Sequence, residues 1–159
     1  MRHVAASALL LLLALSGCAI RPSAVTGGED APTGVAPGVT LYFIDGQGTL
    51  QPQERETERL GTIAETVSLL LTGPGESGLH TQIAQTDNTQ VQLLSEQGSI
   101  GLRLPLAERD VTPTGIDQIV CTALASYIQA GGSRTATVRL EFTIAQAGAN
   151  APRRCPVLP

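Results

Sequence analysis

The sequence predicts an α+β domain in which two helices pack on one face of a mixed sheet of about four to five strands. Two segments, around residues 60–71 and 116–128, carry apolar side chains at the spacing of an amphipathic helix. Residues 135–146 alternate apolar and polar side chains, which is the pattern of a half-buried strand. Two amphipathic helices with sheet between them indicate a two-layer sandwich around one core.

The first strand is predicted over Val39–Ile44, a β-rich run that ends at the turn sequence Asp45–Gly48. A second strand or extended arm follows over Leu50–Glu58, and its charged side chains predict a solvated edge. The first helix, Leu60–Leu71, ends at the sequence Gly-Pro-Gly that begins at residue 73, because glycine and proline terminate helices.

Three short β-like stretches are predicted after the first helix, separated by turns at residues 87–88 and 97–98: Leu79–Gln85, Gln90–Glu96 and Ser99–Leu106. The second helix has an almost uninterrupted apolar face from Ile116 to Ile128. Thr112 or Thr114 is expected to cap its start, with Pro113 near the first turn and two glycines at 131–132 at its end.

The N-terminus carries a short apolar run, Val4–Leu15, between Arg2 and the tetrad Leu-Ser-Gly-Cys that ends at Cys18. The run is shorter than the roughly 20 residues of a membrane-spanning helix and has the flanks of a removable signal peptide. The tetrad resembles the lipobox of bacterial lipoproteins. That resemblance implies that the Cys18 thiol receives a diacylglyceryl group, with palmitate among the attached acids, and that the chain is cut before it, so that Cys18 anchors the mature chain to the membrane. An ordinary secreted protein cut near Ala19 is the alternative.

These features divide the chain into four parts. Residues 1–17 are predicted to be a lipoprotein signal peptide. Residues 18–38, rich in Gly, Pro, Ala and Thr, are predicted to be a flexible tether. Residues 39–146 form the domain, and residues 147–159 form a proline-containing tail.

The charge balance argues against a nucleic-acid partner. The formal net charge is −4, and removal of residues 1–17 takes away Arg2 alone among the charged residues, which leaves −5. All ten basic residues are arginines and they are scattered, so the chain has no basic stripe for nucleic acid and no polybasic patch for a membrane surface.

The three cysteines suggest one disulfide. With Cys18 committed to lipid, Cys121 and Cys155 remain, and disulfides persist outside the cytoplasmic membrane. Pairing would hold the tail to the domain and stabilise the fold by about 3 kcal/mol in the chain-entropy model. A reactive thiol or a buried, small apolar side chain at Cys121 is the alternative.

Candidate catalytic residues are few, and we predict no catalytic residue, no metal and no cofactor. The mature part has a single histidine, His80, so a site with two histidine ligands cannot form. Cys121 with His80 is the only nucleophilic pair that the composition allows. The carboxylates of Glu108, Asp110 and Asp117 lie near a helix start, where the helix dipole alone favours acids.

Two polar residues of the second helix, Asp117 and Gln118, lie off its apolar stripe. Their position makes them candidates for an interaction surface.

Five segments in order resemble the GerMN domain, a sporulation and germination module also found in envelope lipoproteins of Gram-positive bacteria: Val39–Phe43, Leu69–Pro74, Gly78–Ile83, Gln118–Leu124 and Thr137–Leu140. The resemblance covers residues 39–146. The chain departs from the family over Ile100–Leu104, where the family commonly has Asp followed by Leu. The resemblance implies a non-catalytic envelope module that acts through protein or cell-wall contacts.

We therefore expect a lipid-anchored module on the extracytoplasmic face of the cell membrane that binds an envelope protein or a cell-wall component. One alternative is an envelope hydrolase that uses acidic residues or a free Cys121. Another is a small-molecule-binding lipoprotein, which the short chain and the scarcity of aromatic residues disfavour.

Overall fold

A two-stranded antiparallel hairpin opens the part of the chain that the structure, a computed structural model, describes: residues 38–96, 99–145 and 150–158. Strand β1 is Gly38–Ile44 and strand β2 is Leu50–Glu56. The Asp45 carboxylate closes the turn by accepting hydrogen bonds from the main-chain N–H groups of Gln47 and Thr49, both at 2.9 Å. The predicted first strand and its turn are confirmed.

The edge of β2 away from β1 is solvated, as predicted. The Asp45 N–H donates to the Thr49 carbonyl, and hydrogen-bonded pairs alternate along an antiparallel ladder. The odd-numbered residues of β2 therefore bond to β1, and the even-numbered ones, including Pro52, direct their main-chain groups to the outer edge. Proline has no N–H to offer to another strand, and Glu54 and Glu56 beside it are exposed. Both features are typical of an edge protected from further pairing.

Helix α1, Ile63–Leu70, begins later than the apolar spacing predicts because Thr62 caps it. The Thr62 hydroxyl accepts from the Glu65 N–H at 3.2 Å, and the Glu65 carboxylate accepts from the Thr62 N–H at 2.7 Å. This capping box satisfies two N–H groups that a helix start otherwise leaves unpaired. After Leu71, Gly73 adopts φ +90°, which ends the helix at the predicted place.

The predicted strand over residues 79–85 is wrong. The segment forms only isolated bridges, between His80 and Ile44 and between Ile83 and Val111. The His80 N–H donates to the Ile44 carbonyl of β1 at 2.7 Å and the His80 carbonyl accepts from the Ile44 N–H at 2.9 Å, whereas the Ala84 N–H donates to Asp110 O at 2.8 Å. Because its partners belong to different elements, the segment builds no continuous ladder.

A second sheet contains β3 (Gln92–Glu96), β4 (Ser99–Ala107) and β5 (Thr137–Ile144) in that spatial order. β3 is antiparallel to β4, and β4 is parallel to β5, so the sheet is mixed as predicted. The parallel pair requires a crossover, which helix α2 supplies. A short 3-10 turn, Glu108–Asp110, leads from β4 into that crossover.

Helix α2, Pro113–Gln129, forms the centre of the core. Thr112 is its N-cap, with the hydroxyl accepting from the Gly115 N–H at 3.1 Å, and Pro113 is its first residue. Helix α2 packs against α1, β1 and β5. Its buried apolar side chains pack with those of both sheets; the fully buried apolar residues include Leu41, Phe43, Leu70, Leu102, Ile119, Val120, Val138 and Leu140.

The α+β class with two helices is confirmed, and the five strands of the described ranges are divided between two sheets. The division has a local cause. The edge of β1 that could have met another strand is occupied by side chains of α2 and by His80. Among the described residues, no helix has the length and apolar character needed to span a membrane.

Gly115 allows α2 to approach the segment that contains Gln82. A Cβ at position 115 would collide with the Gln82 carbonyl oxygen and with the Val111 side chain, and the first of these is main chain that cannot swing away. We predict that Gly115→Ala lowers the free energy of unfolding by about 1–3 kcal/mol, because overpacking displaces the backbone. Urea unfolding of the purified chain measures the change.

Gly46→Ala is the matched control, since a Cβ there meets nothing within 4 Å. Gly46→Ala should change the free energy of unfolding by no more than about 0.5 kcal/mol relative to the unchanged chain. Equal destabilisation by the two substitutions would contradict the close approach at Gly115.

The lowered pKa of Glu65 predicts that the fold loses stability in acid. The side-chain hydrogen bonds from Arg59, followed by the main-chain N–H of Thr62, lower the pKa of Glu65 from 4.5 to about 2. A carboxylate with a lowered pKa stabilises the fold above its unfolded value, and this contribution disappears as the pH falls from 4.5 towards 2. Glu65→Gln should therefore flatten the stability curve over that interval.

Thermal unfolding between pH 2 and 6 tests this expectation. Glu76→Gln, which removes a carboxylate from an exposed loop, is the control. An acid slope that is the same in Glu65→Gln and in the unchanged chain would refute it.

Candidate functional site

Several predicted features lie outside the described residues. They include the lipidation residue Cys18, the signal peptide over 1–17, nearly all of the tether over 18–38, and the turn at 97–98. The acylation of Cys18 therefore stays a prediction.

Cys121 and Cys155 form the predicted disulfide, with their Cα atoms 4.7 Å apart. Cys121 lies in the middle of α2 and is completely buried, and Cys155 is 5% exposed. Between residues 150 and 158 the tail also pairs with β5, since the N–H and C=O groups of Arg153 bond to those of Val138 at 2.8 and 2.9 Å. The tail is thus held to the domain at two points.

The disulfide removes the nucleophilic pair considered from the sequence. Cys121 has no free thiol, so the proposed dyad with His80 is not formed. His80 itself is exposed, and its main chain pairs with Ile44 at the end of β1. In this arrangement His80 is a structural residue through its backbone.

The three candidate carboxylates do not build a cation site. The Asp110 carboxylate accepts from the Ala107 N–H at 3.3 Å and lies 3.7 Å from the Arg109 guanidinium. Burial raises the pKa of Asp117, and the charge of Arg153 acts in the opposite direction. In the described ranges, no group of three or more His, Cys, Asp or Glu side chains could hold a metal ion.

Gln118 is not a surface residue, which corrects the expectation that it faces a partner. It is completely buried. Its amide NH₂ donates to the Tyr42 carbonyl at 3.1 Å, and its carbonyl oxygen accepts from the Gln82 N–H at 2.8 Å. A buried amide with both ends bonded ties α2 to β1 and to the segment after α1.

A groove of about 420 Å³ lies where the outward side of the hairpin meets the second half of α2 and the tail. We call it the tail groove. Residues from four parts of the chain line it: Thr40, Tyr42 and Glu54 of the hairpin, Ala125, Ile128 and Gln129 of α2, Arg134 of the following loop, and Leu158 of the tail.

The main chain of β1 is open at one position in this groove. The even-numbered residues of β1 direct their N–H and C=O groups away from β2, and those of Gly38 and Tyr42 meet side chains of α2. Thr122 accepts from the Tyr42 N–H at 3.0 Å, and the Gln129 amide donates to Gly38 O at 2.9 Å. Thr40 lies between them, and among the described residues no hydrogen bond to its main-chain N–H or C=O is found.

The polar side chains of the tail groove carry opposite charges. Glu54 accepts from the Thr40 hydroxyl at 2.8 Å and is exposed, as is Arg134. Burial raises the pKa of Tyr42, and the negative charge of Glu54 raises it further. The Tyr42 hydroxyl therefore stays protonated and able to donate at neutral pH.

A second groove, of about 330 Å³, lies between the start of α1 and the loop before it. Two of its three charged residues, Arg59 and Glu65, bond to each other at 2.7 Å, and Glu65 also completes the capping box. This ion pair is thus engaged within the protein, unlike the main-chain groups of Thr40.

The residues of the tail groove were not identified from the sequence. Thr40 and Tyr42 are simply alternate residues of a strand, and Ala125 is one alanine of an apolar helix. The signal that existed was indirect, because a cysteine-held tail had to lie against some surface of the domain.

Comparison of the chain with protein-family models, with curated proteins and with solved structures finds no match in any of the three.

The disulfide predicts a measurable contribution to stability. The double variant Cys121→Ser with Cys155→Ser should lose about 2–4 kcal/mol of unfolding free energy, because the unfolded chain is no longer cross-linked. Trypsin should also cut after Arg153 and Arg154 faster than in the unchanged chain, since the freed tail leaves β5. Urea unfolding and timed digestion measure the two effects.

Cleavage after the exposed Arg134 serves as the internal control for digestion. Equal rates of cleavage in the tail of the two proteins, with equal rates after Arg134, would show that the disulfide does not hold the tail.

Proposed function

We propose that this chain is a lipid-anchored, extracytoplasmic GerMN-like module of a bacterial envelope that binds a protein or a cell-wall component without catalysing a reaction. The observation that carries the proposal is the buried disulfide between Cys121 and Cys155. It supports both the location and the non-catalytic role.

The use of the three cysteines supports the proposed location. Disulfides form and persist outside the cytoplasm, and this one consumes two of the three. Cys18 is left over, at the end of a sequence that resembles a lipobox. A diacylated cysteine supplies two acyl chains, which suffice for stable anchoring where one does not.

The oxidised state of Cys121 supports a binding role over a hydrolase that uses this thiol. The Cys121 thiol is oxidised and lies within the core, where no substrate reaches it. The Asp110 carboxylate is engaged within the 3-10 turn, where it accepts from the Ala107 N–H, and this bond disfavours its use in an acid–base pair. The described surface does offer the tail groove, where the main-chain groups of Thr40 and the charges of Glu54 and Arg134 can bind a partner.

The anchor is tested by expressing the full chain in a Gram-positive host fed an alkyne analogue of palmitate. We expect the chain to carry the label, to sediment with membranes and to be cut by protease added to intact cells. Cys18→Ala should lose the label and leave the membrane fraction, whereas Ser23→Ala, outside the lipobox, should behave as the unchanged chain. Membrane retention of an unlabelled Cys18→Ala chain would refute the anchor.

The binding role is tested by crosslinking at the intact membrane, followed by mass spectrometry of the captured material. We expect an envelope protein or a wall fragment crosslinked to residues of the domain. Recovery of the chain alone, under conditions that trap the partners of other lipoproteins, would contradict the binding role.

A further inference from the structure

The gap in the hydrogen bonding of β1 points to a ligand that carries a main-chain amide. Side chains of α2 satisfy the neighbouring positions of this edge, from Gln129 at Gly38 and from Thr122 and Gln118 at Tyr42. Ala125 of α2 lines the same groove as Thr40 and has no polar atom in its side chain. Thr40 is half-buried, and a main-chain N–H and C=O pair with no partner in the protein must bond to water or to a ligand.

We propose that the tail groove binds an extended peptide segment, one residue of which pairs its C=O and N–H with the N–H and C=O of Thr40. The inference rests on the proposed function, since it names the kind of partner that the module binds. A strand residue offers its donor and acceptor on one side at the spacing of a β-ladder, and another peptide residue is the complement of that arrangement.

The apolar lining of the groove limits the side chains of the peptide. Ala125 leaves space at the gap, and Ile128 and Leu158 form an apolar wall beside it. The peptide residue that reaches Thr40 therefore carries a small apolar side chain. Leu158 belongs to the tail, so the wall depends on the disulfide that holds the tail in place.

The charges of the groove favour a peptide over an uncharged amide such as an N-acetylated sugar. Glu54 and Arg134 are both exposed and of opposite sign, and neither forms an ion pair with another described residue. A peptide with a basic residue on one side of the apolar residue and an acidic residue on the other complements both charges. An uncharged sugar would use neither.

The test uses the full chain in detergent micelles, with nitrogen-15 labelling and NMR titration. The probes are acetyl-Gly-Glu-Ala-Lys-Gly-amide and its charge-reversed counterpart acetyl-Gly-Lys-Ala-Glu-Gly-amide, since the two strand directions need opposite orders. We expect one of them to shift the Thr40 amide resonance, with a dissociation constant of about 1 mM or tighter. Methylation of the alanine nitrogen of that peptide should weaken binding about tenfold, because the Thr40 carbonyl loses its donor.

Two arginine variants test the charge complementarity. Arg134→Glu should weaken the better peptide about fivefold, which is the size expected for an exposed ion pair. Arg154→Glu changes another exposed arginine, which belongs to the tail and does not line the groove, and it should leave the affinity unchanged. Both substitutions are on the surface, so a folding defect does not obscure the comparison.

Three results would overturn the inference. The first is that neither peptide shifts Thr40 at about 10 mM, the second is that N-methylation has no effect, and the third is that a disaccharide of N-acetylglucosamine shifts the same resonances more strongly. If the first result occurred while crosslinking at the membrane still captured an envelope partner, the groove would be wrong and the proposed function would stand. If crosslinking captured no envelope partner while a peptide still shifted the Thr40 resonance, the peptide-binding groove would stand and the proposed function would be wrong.

Discussion

The buried contact between α2 and the edge of β1 is the interaction on which the other parts of the structure depend. Gln118 and Thr122, one helical turn apart, satisfy both main-chain groups of Tyr42 at 3.1 and 3.0 Å. These side chains do for β1 what a neighbouring strand would do. Removing either one would leave a buried donor or acceptor unpaired, which costs more than the bond itself contributes.

Three features of the fold follow from that contact. The edge of β1 is occupied at Gly38, Tyr42 and Ile44, so no strand of the second sheet pairs along it and the two sheets stay separate. The carbonyl oxygen of Gln118 also holds the segment around Gln82, which folds without becoming a strand. Thr40 lies between the bonded positions Gly38 and Tyr42, and its main-chain groups are left without a partner among the described residues. It lies in the tail groove, which Ala125 also lines.

The tail completes the groove through a disulfide, which forms only in an oxidising compartment. Leu158 lies against the core because Cys155 is bonded to α2 and Arg153 is paired with β5. A cytoplasmic environment would keep the two thiols reduced and weaken this arrangement. The proposed anchor at Cys18 and the proposed groove are therefore linked, since both require the chain to work outside the cytoplasm.

The sequence by itself determined the features that depend on local pattern: the α+β class, both helices, a threonine cap at 112 or 114 for the second helix, and the alternating strand β5. It also favoured a bond between Cys121 and Cys155, with a free Cys121 as the alternative. Periodicity and capping act over a few residues, so they can be read without knowing the fold. Only the tertiary structure decided that Gln118 is buried, that residues 79–85 are not a strand and that the sheet is divided. It also decided the location of the candidate site, because Thr40, Arg134 and Leu158 are far apart in the chain and meet only through packing. Whether a polar side chain is buried depends on partners that can lie anywhere in the sequence, and Gln118 finds its partners 76 and 36 residues away.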